Sequence, residues 1–239
     1  MEVKEFHHQK DFTVHSFQIN PQGNLRWSAL ADILQEIAWL HANSEDFGKN
    51  LFEDDLMWVL SRFEIHCLKK PVWGERITVK TAGRGIHKLF ALREFQVLDQ
   101  AGTILVEAMS AWLLLDVKSK RPRKPEAVLP KRHFKPLLGD ELVPSKVIVP
   151  EDLEFAYAIQ VTPSDLDMNR HVNNASYIRW VEDFCWRKEI KIDHLLIQYL
   201  EEVKLDEEVQ LYFEKRGGHW NIVGKSVNGR AVFSAMTKV

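Results

Sequence analysis

Asp167, Asn169 and His171 stand two residues apart in SDLDMNRHVNN, residues 164–174, a polar stretch between the apolar segments FAYAIQV and ASYIRWVEDF. In an extended backbone alternate side chains share a face, so these three would point one way and Met168 and Arg170 the other. A carboxylate, a carboxamide and an imidazole on one face make a set for proton transfer. The imidazole exchanges protons near neutral pH. The amide can fix its tautomer or hold a substrate carbonyl. Asn173 or Asn174 can cap the helix that follows, whose N–H groups favour a developing negative charge. The same residues also suit a solvated turn with a cap, because Asp and Asn are common there. One His beside the carboxylates makes a poor ligand set, and no metal is expected.

Glu201 and Glu202, in QYLEEVKLDEEV, form a second candidate. Strand alternation would put Glu202 with Leu200 and Lys204, turned toward the interior; the other reading has both acids coating an exposed face. Cys67 and Cys185 belong to no CxxC pair, so neither a zinc site nor a disulfide framework is indicated, and both read as buried structural residues.

Positioning these groups needs a scaffold. WSALADILQEIAWLHAN, residues 27–43, carries Leu30, Ile33, Leu34, Ile37 and Leu40 at helical spacing, with Ser28 as N-cap. RFEIHCL from Arg62, then ITVKT, LFALREFQVL and TILVEAMSAWLLLD, read as strands, with a hairpin turn at residues 99–102. From Lys118 the Lys-, Arg- and Pro-rich KSKRPRKPEAVLPKRHFKP reads as an exposed connector. The pattern then recurs. FAYAIQVTP resembles VHSFQINP, NASYIRWVEDFCWRK reads as a helix, and IQYLEEVKLDEEVQLYF mirrors IHCLKKPVWGERITVKT, pairing Ile65 with Ile197 and Glu75 with Glu207. GTILVEAM mirrors GRAVFSAM, and Asn228-Gly229 signals a two-residue hairpin. The expected architecture is a tandem duplication of an α+β unit. On this alignment the first copy has the short QGNLRW between its Pro and its helix where the second has the longer SDLDMNRHV, so chemistry is expected in one copy only.

The 239 residues are 45% hydrophobic with a formal net charge of −2, enough for a substantial core and wrong for a nucleic-acid binder. MEVKEFHHQKDF has no apolar signal core, and no window nears eighteen apolar residues. A cytoplasmic protein without a membrane span is expected, monomeric or homodimeric.

SDLDMNRHVNNASYIRW resembles the signature of the acyl-acyl carrier protein thioesterases, the fatty-acyl chain-terminating enzymes of plants and bacteria. MWVLSRFEIHCLKKPVWGERITVKT is similar to that family's first-half segment, and SAWLLLDVKSKRPRKP to the segment closing its first repeat. Order and spacing hold from about residue 10 to the end. The lack of a plastid-targeting extension fits a bacterial-type member.

The resemblance implies a tandem double hot-dog fold, each antiparallel sheet wrapped around a long central helix. An N-terminal hot dog at 1–130 would bind the acyl chain, 131–150 would be a linker, and a C-terminal hot dog at 151–239 would be catalytic. It maps the family's catalytic residues onto Asp167, Asn169 and His171, and a further acid onto Glu202. The Cys beside that acid in the plant enzymes is Val203 here, which removes a cysteine nucleophile at that position. The implied reaction is hydrolysis of fatty acyl-acyl carrier protein by water, with no cofactor. Glu202 and His171 would activate the water, Asn169 would orient His171 or the substrate, and Asp167 would orient the loop and tune the imidazole. N–H groups at Asn173 and Asn174 would meet the oxyanion. Leu30, Ile33, Leu34 and Ile37 would run along the acyl chain, with Trp39, Met57 and Trp58 as further liners. Acyl carrier protein is acidic, so Lys118, Lys120, Arg121, Arg123 and Lys124 become its expected docking surface. The competing activities are an acyl-CoA thioesterase, a hot-dog hydratase, and a non-catalytic acyl-binding module.

Overall fold

Strands with one apolar face need a helix to cover it, and the chain supplies one long helix for each of two sheets. The computed structural model describes residues 5–44, 55–128 and 143–238. It divides into two units, Met1–Ser61 with Ile65–Pro144 and Arg62–Glu64 with Ser145–Val239.

In the first unit the chain runs β1 (His8–Thr13), α1 (Trp27–Ser44), β2 (Leu56–Cys67), β3 (Arg76–His87), β4 (Phe90–Leu98) and β5 (Ile104–Asp116). The sheet order is β1-β3-β4-β5-β2, with antiparallel ladders between β1 and β3, β3 and β4, and β4 and β5. The second unit runs β7 (Glu154–Gln160), α3 (Asn174–Arg187), β8 (His194–Tyr199), β9 (Glu208–Arg216), β10 (His219–Ser226) and β11 (Ala231–Lys238), in sheet order β8-β11-β10-β9-β7. Between them, β6 (Pro122–Arg123) pairs with β5 and α2 (Pro125–Val128) adds one turn. The predicted connector therefore begins as ordered chain at 118–128. Residues 129–142, most of the predicted linker, lie outside the described residues.

Helix α1 begins at Trp27, where the Arg26 carbonyl accepts from the Leu30 amide at 2.9 Å, so Ser28 sits inside the first turn rather than capping it. Leu30, Ile33, Leu34 and Ile37 are buried, each worth about 1.5–3 kcal/mol of transfer free energy. Trp39, expected to line a cavity, is 52% exposed; Met57 and Trp58 are half-buried. Helix α3 lies on its sheet through aromatic contacts, Tyr177 on Phe233 at 5.4 Å and Phe184 on Phe213 at 5.1 Å. Cys185 is buried and Cys67 half-buried. No helix among the described residues is long and apolar enough to cross a membrane.

The turns explain the strand registers. Asp99 Oδ1 accepts from the Ala101 and Thr103 amides, and Gly102 at φ 83° closes the β4–β5 hairpin. The β10–β11 turn is one residue longer than its Asn-Gly suggests: the Ser226 amide bonds the Arg230 carbonyl at 2.9 Å, with Gly229 at φ 78°. A three-residue loop ending in a left-handed Gly is the next favoured solution. Gly224 on β10 faces the ring of buried Phe233: a Cβ there would lie 2.2 Å from Phe233 Cε1. Gly224→Ala is therefore expected to destabilise the protein by about 1–3 kcal/mol, read as a shift of the denaturant midpoint; an unchanged midpoint would show that the ring can move aside.

Candidate active site

The polar stretch is a closed hairpin, not an extended strand. Pro163–Asp165 forms a 3-10 turn capped by Thr162. Leu166 and Val172 then pair as an antiparallel bridge across 167–171. Inside that bridge the Asp167 amide donates to the His171 carbonyl at 2.8 Å, and the Arg170 amide to the Asp167 carbonyl at 3.0 Å. Arg170 holds φ 62°, the left-handed region. Asp167 Oδ1 accepts from the Asn169 amide at 2.8 Å and the His171 amide at 3.2 Å. Its carboxylate thus does the work of an Asx turn, and the i, i+2, i+4 face expected for a strand does not form.

The outcome for each candidate follows from that turn. Asn169 is exposed, and its Nδ2 reaches Asp167 Oδ2 at a long 3.4 Å. His171 is half-buried. Glu202 lies beyond the end of β8, exposed in the loop to β9 rather than turned inward on a strand. These two nevertheless meet: His171 Nε2 is 3.5 Å from Glu202 Oε2. The backbone accounts for it. His171 bridges Lys204, and the Val172 amide donates to the Val203 carbonyl at 2.9 Å. Neighbours of both side chains are locked together, so the side chains must face each other. Beneath them Tyr177 is buried; burial holds its phenol well above the usual range, opposed by the Val203 amide.

Asn173 is the N-cap of α3, its Oδ1 accepting from the Ala175 amide at 3.1 Å and its carbonyl from the Ser176 amide at 2.9 Å. Of the two amides expected to meet an oxyanion, that of Asn173 already donates to the Asp165 carbonyl at 2.8 Å. The Asn174 carbonyl accepts from the hydroxyl of Tyr199 at 3.2 Å, whose phenol burial keeps strongly protonated.

Asp165 was not among the expected residues, yet it organises the loop. It is buried, accepts from the Thr162 amide and Oγ1 at 2.8 and 2.7 Å, and pairs with Arg179 of α3. Its carbonyl accepts from the Asn173 amide and Ser176 Oγ. The T-x-x-D spacing of Thr162 and Asp165 was a readable capping signal.

The first unit contains the same loop. Ile19 bridges Leu25, Asn24 bridges Val72, and Leu25 bonds Pro71, as Leu166 does Val172, His171 does Lys204, and Val172 does Val203. Asn20 Oδ1 accepts from the Gln22 and Asn24 amides, and Gly23 takes the left-handed position of Arg170. The two loops are therefore equal in length, and the expected difference between QGNLRW and SDLDMNRHV came from aligning Pro21 with Pro163, five residues out of register. What differs is chemistry: Asn24 stands where His171 does, and Lys70 where Glu202 does.

Profiles of two domains match the sequence, the acyl-ACP thioesterase N-terminal domain over residues 5–129 and its C-terminal domain over 150–230. The chain belongs to the acyl-ACP thioesterase family. An acyl-[acyl-carrier-protein] hydrolase of Cuphea viscosissima is 28% identical over 193 residues, 72% of this chain and 46% of that protein. Oleoyl-acyl carrier protein thioesterase 1 of Arabidopsis thaliana is 26% identical over 200 residues, 73% of this chain and 53% of its own length. The chain thus spans about half the length of the curated relatives it matches. In fold it is similar to an acyl-ACP thioesterase of Bacteroides thetaiotaomicron, with TM-score 0.86 and 23% identity over 97% of this chain and 96% of that one. A 12:0-ACP thioesterase of Umbellularia californica gives TM-score 0.81 at 22% identity over the same shares. The family's architecture is the tandem hot dog, and each unit's helix and antiparallel sheet conform to it.

Removing the Asp165 carboxylate would take from Arg179 its buried partner and from the Thr162 amide and hydroxyl their acceptor. Asp165→Ala is expected to cost about 3–5 kcal/mol in denaturant unfolding. Asn169→Ala, at an exposed position, is expected to stay within about 0.5 kcal/mol of wild type; equal losses in the two would contradict the division between a structural and a solvent-facing residue.

Proposed function

We propose that the protein hydrolyses the thioester of fatty acyl-acyl carrier protein, releasing free fatty acid and the carrier's thiol. The observation that carries this reading is the pairing of His171 Nε2 with Glu202 Oε2 at 3.5 Å on a loop that Asp167 rigidifies. That distance is too long for a strong direct hydrogen bond, but one water oxygen can lie within about 2.8 Å of both atoms. Such a water would lose a proton to the pair as its oxygen bonds the thioester carbon. The tetrahedral oxyanion collapses, the C–S bond breaks, and the thiolate takes up a proton. A thiol pKa of about 8.5 makes it a ready leaving group, so strong acid assistance is unnecessary.

In this reading Asp167 acts through the backbone, fixing the turn that presents His171. Asn169, exposed beside it, contacts substrate. The start of α3 supplies the positive end of a helix dipole toward the oxyanion. Val203, buried where the plant enzymes have Cys, leaves attack to water. The first unit lodges the acyl chain and the second does the chemistry. Membership of the family and the names of its relatives support acyl carrier protein as the partner. Lys118, Lys120, Arg121, Arg123 and Lys124 remain the proposed contact; all are exposed, and Lys118 pairs with Asp55.

Free-thiol release from matched acyl carrier protein and CoA thioesters tests the reaction and the partner. Turnover on the carrier-protein substrates is expected to fall about 10²–10⁴-fold in His171→Ala and comparably in Glu202→Gln. Full activity in Glu202→Gln would remove the water-activation role. Charge reversal at Lys120, Arg121 and Arg123 is expected to raise KM for the carrier-protein substrate, leave kcat unchanged, and flatten the salt dependence.

A further inference from the structure

The chemistry proposed above leaves one buried hydroxyl of the second unit unused. Tyr177 stands on the first turn of α3 and is 3% exposed. The rings of Trp180 at 5.0 Å, Phe233 at 5.4 Å and Tyr199 at 5.6 Å hold its ring. Its hydroxyl oxygen accepts from the Val203 amide. Burial keeps the phenol well above its ordinary pKa, so that oxygen stays an uncharged acceptor.

The amide it receives belongs to the peptide bond joining Glu202 to Val203. The Val203 carbonyl accepts from the Val172 amide at 2.9 Å. Val203 is thus gripped twice, by α3 through its N–H and by the outgoing leg of the hairpin through its C=O. Glu202 directly precedes this clamp. It lies in a loop with its side chain exposed, so its backbone decides where the carboxylate can reach.

The first unit shows what the fold does without the bond. Glu75 and Glu207 correspond, each carboxylate accepting the amide three residues before it. Pro71 therefore corresponds to Val203. Leu25 corresponds to Val172, so Leu30 corresponds to Tyr177. The carbonyl bond is retained, the Leu25 amide donating to the Pro71 carbonyl at 2.8 Å. The amide bond has lost both of its ends together: proline has no N–H to give, and leucine has no oxygen to receive one. Leu30 is as buried as Tyr177, each 3% exposed, so the helix closes on its sheet without a hydroxyl there. The fold does not require the bond. It occurs in the copy that carries the histidine and the carboxylate.

We propose that Tyr177 is a positioning residue of the second unit's site: its hydroxyl fixes the Glu202–Val203 peptide and so holds the Glu202 carboxylate opposite His171. The proposal rests on the reading of that pair as the groups that activate water. Tyr177 acts through Glu202 and touches no substrate.

Free-thiol release by the full chain tests it in a double-mutant cycle of Tyr177→Phe and Glu202→Gln. Tyr177→Phe keeps the ring with its aromatic contacts and removes only the acceptor. It is expected to lower kcat on the carrier-protein thioester about tenfold to 10²-fold, the scale of a group displaced by about 1 Å, and to leave KM unchanged. In the Glu202→Gln background the same change is expected to cost less than about twofold, because no carboxylate is left to place. A merely structural tyrosine would lower both backgrounds by the same factor. Equal losses, or an undiminished kcat in Tyr177→Phe, would overturn the positioning role while leaving hydrolysis intact. Full turnover in Glu202→Gln, or none in the wild type, would overturn this role together with the reading it rests on.

Discussion

One buried carboxylate ties the second unit's loop to its helix. Asp165 receives the Thr162 amide and hydroxyl on one side and Arg179 on the other, while its carbonyl receives Asn173 and Ser176. Strand end, 3-10 turn and first turn of α3 therefore share one anchor. With those ends fixed, the seven residues from Leu166 to Val172 have little choice but a tight hairpin, and Asp167 satisfies its interior amides. The hairpin's outgoing leg then bonds Val203, which sets Glu202 against His171. A half-buried histidine and an exposed carboxylate thus gain their geometry from the backbone bond between their buried neighbours Val172 and Val203, where burial makes it expensive to break.

The duplicated loop in the first unit separates architecture from chemistry. Its bridges, Asx turn and left-handed residue are all retained, and Gly23 adopts the conformation at lower cost than Arg170 does. Without the Asp165 ion pair it is held by Gln18 and His15, whose backbones and side chains form a reciprocal cap. Asn24 sets a carboxamide where the second unit has an imidazole, and Lys70 an ammonium where it has a carboxylate. The fold thus keeps the scaffold in both copies and the histidine–carboxylate pair in one.

Much of this was legible in the sequence. Period-two alternation marked the strands, the 3.6-residue spacing marked α1, and Asp99 with Gly102 marked a hairpin. The weak internal repeat was also correct over the strands. The readings that failed share a cause: they set polar residues on regular elements without knowing their tertiary partners. Asp167, Asn169 and His171 looked like one face of a strand because nothing local shows that a carboxylate will capture two amides of its own turn. Glu202 looked inward because β8 was carried past Tyr199, where the strand in fact stops. Asp165 and Arg93, both buried, were passed over for the same reason, since a charge inside FALREFQVL or after Thr162 reads as surface until its neighbours are known. The Gly217-Gly218 pair that closes β9 onto β10 was a plain turn signal that the strand assignments skipped.

Buried charge sorts by whether the fold needs it. Asp165 has Arg179, and Glu94 has Arg84, each pair removing the desolvation cost that either ion alone would impose. Both pairs fasten one segment to another. Arg93 bonds the His41 ring nitrogen and the Thr81 hydroxyl, while the second unit fills the corresponding space with Trp220 and Phe213, over whose rings Lys215 and Lys188 lie at 5.2 and 4.7 Å. Both units thus set a cation against uncharged groups here, the Arg93 guanidinium on a ring nitrogen and a hydroxyl in the first and the Lys188 ammonium over the Phe213 ring in the second.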